Sequence, residues 1–301
     1  MSSSCASGEG WSLKYKHFAR ATLRLPEIGF GTWRYQGGVA ALRRGIDLGA
    51  CLIDTAESYG TEEIVGEAVR GVRDRAFIAT KALPRHFRHP DILTAADESL
   101  KRLRTDHIDL YQLHWPNYAV PIEETMAAME TLVERGKVRF IGVSNFSVTD
   151  LKKAQAALSK YKIASNQVRY NLIDRTVEGG LMHYCQEHDI AVLAYSPLAH
   201  GLGHIKERDR GQILRRVSAM TGKSEAQVAL NWCISKAAVV AIPTASSIGH
   251  VEDDCGACDW RLADDHIGLL DRGIKFSRRG YAETTLRRIA RYGLQRLGHS
   301  Q

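Results

Sequence analysis

A (β/α)8 TIM barrel of the α/β class is the fold this sequence predicts, and three observations carry it. Eight short apolar runs recur along the chain, each nearly continuous, as strands buried on both faces should be. Between them, apolar residues recur at the three-and-four spacing of a helix with one buried side. The rival doubly wound sheet needs a glycine fingerprint after its first strand; Gly29-Phe30-Gly31 has no third glycine, and Arg34 stands where it would fall. Eight strands alternating with helices over roughly 250 residues is the barrel pattern.

Taken in order, residues 1–10 are rich in Ser and Gly and are expected to be disordered. Residues 11–26 suit a short hairpin. The strand-like runs then begin near Ile28, Cys51, Ala76, Ile108, Val138, Ile163, Ile190 and Ala238. Helical faces are formed by Leu93, Ala96, Leu100 and Leu103, by Ile122, Met126, Met129 and Val133, and by Leu151, Ala154 and Leu158. A helix is expected from Thr61, with Glu62 and Glu63 at its positive end. Asp91, Ser147 and Ser224 mark further helix starts, Ser224 with Gln227 as a capping box, and Gly136 marks an end. The domain reading is therefore one barrel over 11–275 followed by a basic tail over 276–301, where Leu286, Ile289, Gly293 and Leu297 share one helical face.

Charge narrows the function classes. The chain has 301 residues and a formal net charge of +7. From Arg272 onward there are eight Lys/Arg against one acid, Glu283, so the whole surplus sits in the tail. A neutral barrel is a poor nucleic-acid binder, which needs a concentrated cationic face. No apolar run approaches the roughly 20 residues of a membrane span. The six cysteines show no framework spacing, and no secretory leader is evident, so a cytoplasmic protein is expected. Cys255 and Cys258 read as structural residues rather than a zinc pair, and His86 and His89 as a solvated loop.

In such a barrel the site forms where the strands end. Those ends carry Thr32 and Trp33, Asp54, Lys81, His114, Ser144 with Asn145, Gln167, Tyr195 with Ser196, and Thr244 after Ile242-Pro243. Tyr59 follows Asp54 in the strand-to-helix loop. A lysine about 4 Å from a tyrosine favours the phenolate by about 4 kcal/mol at an effective dielectric near 20, and by about 1 in water. That lowers the phenol pKa by roughly three in a dry site and by less than one in a wet one. Asp54 would keep Lys81 charged, and His114 adds a second donor. The expected device is an acidified phenol that protonates an oxyanion as it forms.

The motifs in sequence resemble the aldo-keto reductase family from about Tyr15 to Ile274. They are Pro26-Glu-Ile-Gly-Phe-Gly-Thr-Trp33, Ile53-Asp-Thr-Ala-Glu-Ser-Tyr59, Thr80-Lys81, Asp109-Leu-Tyr-Gln-Leu-His-Trp-Pro116, Gly136-Lys-Val-Arg-Phe-Ile-Gly-Val-Ser-Asn145, Asn166-Gln167 and Ala194-Tyr-Ser-Pro-Leu198. The resemblance implies hydride transfer from NADP(H) to a small carbonyl substrate, in a monomer or weak homo-oligomer. It assigns Asp54, Tyr59, Lys81 and His114 to catalysis. Thr32, Trp33, Ser144, Asn145, Gln167 and Tyr195 would surround the nicotinamide. Ser196, Pro197 and Leu198 would lie along the pyrophosphate, and Trp33 and Trp115 would wall the substrate pocket. Ile242, Thr244, Ser246, His250, Asp253 and Asp254 fall at the adenosine end. There the chain departs from the family: Thr244 and His250 replace its usual Lys or Gly and its Arg, and Asp253-Asp254 replaces Glu-Asn. NAD(H) therefore stays open as the cofactor. Two rival readings are a Schiff-base lyase using Lys81 and a cofactor-binding regulatory subunit of the channel β-subunit type.

Overall fold

The computed structural model describes residues 13–19 and 21–278. The expected disorder of 1–10 and almost all of the basic tail lie outside them. The expected hairpin is present: β1 (Tyr15–Phe18) pairs antiparallel with β2 (Leu23–Pro26).

Eight parallel strands follow, each next to its sequence neighbour in the order expected of a barrel. They are β3 (Phe30–Gly31), β4 (Leu52–Asp54), β5 (Phe77–Ala82), β6 (Ile108–Leu113), β7 (Val138–Ser144), β8 (Ile163–Arg169), β9 (Ala191–Tyr195) and β10 (Val239–Ile242). A parallel bridge from Ile28 to Ala241, with Gly29 N donating to Ala241 O at 2.9 Å, joins the last strand to the first. The helices on the outside are α1 (Val39–Asp47), α2 (Glu62–Val69), α3 (His89–Leu103), α4 (Ile122–Glu134), α5 (Val148–Ala156), α6 (Gly180–Glu187), α7 (Leu202–Arg208), α8 (Ile213–Thr221), α9 (Glu225–Ile234), α10 (Ile248–Cys255) and α11 (Asp264–Gly273). Three of them are additions to the simple alternation: α7 and α8, inserted between β9 and α9, and α11, which follows α10.

Local chemistry sets most of the boundaries. Ser147 and Ser224 both close capping boxes, with Asp150 and Gln227 answering them. Gly136 adopts φ +70° just past α4, a conformation that costs a side chain about 1 kcal/mol or more. Two starts differ from expectation. Thr61 precedes α2 rather than opening it, and α3 begins at His89, with Pro90 in its first turn. Proline suits that turn because its missing N–H would have had no helical partner anyway.

Alternation along each strand divides the core in two. Outward residues such as Ile53, Ile78, Ile141, Val143, Val192 and Val239 pack against the helices in the larger apolar cluster. Leu52, Phe77, Leu110, Leu193 and Val240 form a second cluster inside the barrel, closed from below by Phe18, Leu23 and Leu25 of the hairpin. Full burial of such side chains stabilises the fold by about 1.5–3 kcal/mol each. Above this apolar floor the next inward positions turn polar: Asp54, Lys81, Gln112, Ser144 and Gln167, all buried. Gly142 separates the two layers, since a Cβ there would meet Ser165 Oγ at 2.5 Å and Gln112 Cγ at 2.8 Å.

Candidate active site

The rim is organised around a buried ion pair. Lys81 Nζ donates to Asp54 Oδ2 at 2.6 Å and to the Thr55 carbonyl at 2.7 Å. Asp54 Oδ1 accepts from Gln112 Nε2 at 3.1 Å and from Gln167 Nε2 at 2.7 Å. The carboxylate thus takes three donors, which a buried charge needs. Burial opposes the Lys81 ammonium, but Asp54 and Tyr59 outweigh it and hold its pKa above the ordinary lysine value. A permanently protonated amine is the wrong state for a Schiff-base nucleophile, which counts against the lyase reading.

Tyr59 ends a turn of 3-10 helix, Glu57–Tyr59, and its ring lies 4.9 Å from Lys81 Nζ. Its hydroxyl is 3.4 Å from His114 Nε2, the two rings meeting edge to face at 5.6 Å. The expected acidification of this phenol does not occur in the protein alone. Burial raises its pKa above the ordinary value, Lys81 lowers it, and Asp54 raises it again. The dryness that strengthens the ammonium also penalises the phenolate, and the nearby carboxylate cancels much of the attraction. Tyr59 is a neutral phenol. Burial and the Lys81 charge push the His114 pKa down to about 3, so its imidazole is neutral as well. Its Nδ1 is buried with no hydrogen-bond partner among the described residues.

The turn bearing Tyr59 is pinned by Glu57. That carboxylate accepts from Leu83 N and lies 3.1 Å from His86 Nδ1. His86 is therefore an anchoring residue, not part of a merely solvated loop. Among the described residues no cluster suits a metal ion. Cys255 and Cys258 are buried free thiols, and burial pushes the Cys255 pKa up to about 12.

On the far side of the rim, Ser144 Oγ donates to the Gln167 carbonyl at 2.9 Å and accepts from Asn145 Nδ2 at 2.9 Å. Tyr195 OH donates to Asn145 Oδ1 at 3.1 Å. Ser144, Asn145 and Tyr195 thus converge beside His114, whose carbonyl also accepts from Asn145 at 3.2 Å. Thr32 is committed elsewhere: its hydroxyl donates to the Asp54 carbonyl at 3.1 Å and touches Thr61 Oγ1 at 2.8 Å. Trp115 stacks beside His114, while Trp33 is exposed between Arg34 and His200. Ser196, Pro197 and Leu198 lead from β9 into a loop with positive φ at Ser196, Ala199, His200 and Gly201. Beyond Ile242, at the end of β10, Thr244, Ser246 and His250 are exposed around the start of α10. Asp253 accepts from Ser224 Oγ at 3.0 Å. Gln112 and His86 are the residues that sequence reasoning missed. For Gln112 the signal was present, since it lies two positions before His114 and so faces the same way along the strand.

A nicotinamide dinucleotide fits what these residues leave unspent. The Tyr59 hydroxyl and His114 Nε2, 3.4 Å apart, stand at one end of the rim. At the other, exposed hydroxyls and a histidine gather at the positive end of α10, a place suited to phosphate.

Fold and rim together define a (β/α)8 barrel with a buried Lys81–Asp54 ion pair, a phenol and an imidazole gathered at its carboxyl face. Residues 27–275 match the model of the Aldo/keto reductase family, and the chain belongs to that family. It is 39% identical over 260 residues to methylglyoxal reductase YeaE of Escherichia coli (strain K12), covering 82% of this chain and 90% of the relative. Identity to methylglyoxal reductase DkgB of Salmonella typhimurium is 33% over 261 residues, covering 83% and 94%. The crystal structure of an aldo-keto reductase from Klebsiella pneumoniae in complex with NADPH superposes with a TM-score of 0.79 at 39% identity, covering 89% of this chain and 97% of that one.

Proposed function

We propose that this oxidoreductase reduces a small aldehyde or ketone to the alcohol with NADPH, and that Tyr59 delivers the proton. The observation that carries this reading is the Lys81–Asp54 pair beneath Tyr59, with His114 3.4 Å from the same hydroxyl. When bound, the reduced nicotinamide supplies the hydride. Tyr59 and His114 hold the carbonyl oxygen between a phenolic O–H and a neutral imidazole N–H. As negative charge grows on that oxygen, both donors strengthen, and the Tyr59 proton moves to it. Lys81 stabilises the phenolate left behind, and Asp54 keeps Lys81 in place and charged. A neutral phenol at rest is the right starting state, because a donor must still hold its proton.

Ser144, Asn145 and Gln167 are the residues proposed to orient the nicotinamide amide, with Tyr195 against its ring. Ser196, Pro197 and Leu198 would follow the diphosphate, and Thr244, Ser246 and His250 the ribose phosphate. NADPH is preferred here because the Klebsiella relative binds it. Two relatives bear the name methylglyoxal reductase, which makes a 2-oxoaldehyde the first substrate to try. Trp33 and Trp115 would wall the pocket.

The test is Tyr59→Phe, assayed by NADPH oxidation with methylglyoxal and by NADPH fluorescence on binding. Loss of general-acid help is expected to cut kcat by about 10²–10⁴ with cofactor affinity unchanged. Wild-type turnover in the variant would remove Tyr59 from the mechanism.

A further inference from the structure

Arg169 closes β8 two residues beyond Gln167, and strand alternation sets both on the inward side. It therefore stands about 6.6 Å nearer the mouth of the barrel, two strand residues further on. Its neighbour in register is Tyr195, and its guanidinium carbon lies 5.8 Å from the centre of that ring. Arg169 Nη2 is 3.4 Å from His200 Nε2. An arginine has only donors, so the imidazole nitrogen accepts, and His200 is neutral. Burial first, and then the charges of Arg169, His204 and Arg34, hold the His200 pKa below the ordinary histidine value. Arg169 Nε is buried with no hydrogen-bond partner among the described residues.

Three other arginines drawn into the protein are answered by carboxylates. Arg73 meets Asp109 at 2.7 Å, Arg102 meets Glu62 at 2.6 Å, and Arg175 meets Asp271 at 2.7 Å. Among the described residues, no carboxylate pairs with Arg169, with Arg34 or with His200. These three gather round the mouth: Arg34 lies 4.5 Å from the Trp33 ring, and His200 meets the same ring at 5.4 Å. Tyr195 in turn reaches Asn145, which donates to the His114 carbonyl beside the proton donors. A cation over an aromatic ring recovers part of its lost hydration, but its charge is not neutralised. A planar guanidinium with donors to spare is the group best shaped to take a carboxylate.

We propose that Arg169 determines specificity by receiving the carboxylate of an oxo-acid substrate whose carbonyl oxygen lies between Tyr59 and His114. This rests on the carbonyl-reduction reading given above and narrows it to substrates with an anionic group a few carbons from the carbonyl. His200 positions the guanidinium by accepting from Nη2, and the Tyr195 ring supports it. The dinucleotide's phosphates carry similar oxygens, but Ser196 to Leu198 and the start of α10 lie along their path, whereas Arg169 shares a strand and a face with Gln167.

Steady-state reduction of ω-oxoalkanoates of four to six carbons, each beside its uncharged methyl ester, tests this together with the NADPH Kd by fluorescence. In the wild type the best acid is expected to exceed its ester in kcat/KM by about tenfold or more, the worth of one charge-assisted hydrogen bond, and to do so through KM. Arg169→Met should bring that ratio to about one, and Arg169→Lys should keep part of it. The NADPH Kd should match the wild type in both. A wild type that prefers none of the acids overturns the proposal and needs no variant. So does a ratio kept in Arg169→Met, or an NADPH Kd weakened in step with the ratio, which would give Arg169 to the diphosphate instead. Absence of turnover with every acid, every ester and methylglyoxal would sink the carbonyl-reduction reading and this proposal with it. Turnover of the esters without any preference for the acids sinks only the role of Arg169.

Discussion

The barrel buries a lysine at each end, and the two behave in opposite ways. At the rim, Lys81 meets Asp54 at 2.6 Å, and its pKa stays above the ordinary lysine value despite complete burial. Under the floor, Lys16 of β1 donates to three carbonyls, of Ile234, Lys236 and Val239, at 2.6–2.8 Å. Its nearest carboxylate, Glu27, is 4.0 Å away and also binds Arg261. Burial wins there, and the Lys16 pKa falls to about 8. Dipoles satisfy the ammonium's hydrogens, but a full opposing charge in contact is what offsets the loss of water. The rim is built to keep a charge, and the floor uses one to tie the hairpin to the turn between α9 and β10.

The largest expected effect comes from breaking the rim pair. In Lys81→Met, Asp54 keeps its two glutamine donors but loses its cation. An orphaned buried charge of this kind typically costs 3–5 kcal/mol, which urea unfolding would measure. Turnover should be lost with it. The double variant Asp54→Asn/Lys81→Met removes both charges and is expected to regain most of the stability while staying inactive. If the double variant were no more stable than Lys81→Met, the pair would not be what holds the rim.

Lys16→Met should be milder and should spare activity. It takes the ammonium away from three carbonyls, of which that of Lys236 still accepts from Val239 N at 3.0 Å, at a cost of about 1–3 kcal/mol. The pH dependence has a definite sign. Between about pH 8 and the ordinary lysine value of 10.5, the folded protein holds fewer protons at Lys16 than the unfolded chain does. Wild-type stability therefore gains on the variant as pH rises through that window. A gap that narrowed instead would mean that Lys16 keeps its proton as firmly as Lys81 does.

The same contrast explains what could be read from the sequence. Continuous apolar runs gave away all eight strands, and polar residues at their ends marked Asp54, Lys81 and His114. The hairpin and the Ser224–Gln227 cap were equally plain, because each depends on neighbours in sequence. Gln112 lay inside an apolar strand and was legible only by counting back two positions from His114, which puts both on the inward side. His86 was hidden because its partner Glu57 is 29 residues away. The helices α7 and α8 broke a regular alternation without a signal that demanded them. The Tyr59 pKa was misjudged for a physical reason: the attraction of Lys81 was counted, but the burial that makes it strong also acts on the phenol.

The smallest effect should come from Tyr15, one residue before Lys16 on the same hairpin. Its hydroxyl donates to the Gly49 carbonyl at 2.8 Å, a neutral bond where Lys16 makes charged ones. Tyr15→Phe removes that bond, with a longer contact to Cys51 Sγ at 3.9 Å, and keeps the ring, so about 1 kcal/mol of stability should be lost. Turnover should be unchanged, because the apolar floor of Leu52, Phe77 and Leu110 lies between the hairpin and the rim. Lys16 and Tyr15 tie the same short hairpin to different partners, so their variants separate loss of anchorage from loss of charge. If anchorage alone matters, Tyr15→Phe will cost as much as Lys16→Met at pH 7. If charge matters as argued, only Lys16→Met will change the stability profile between pH 8 and 9, and urea midpoints for the two variants across that range decide it.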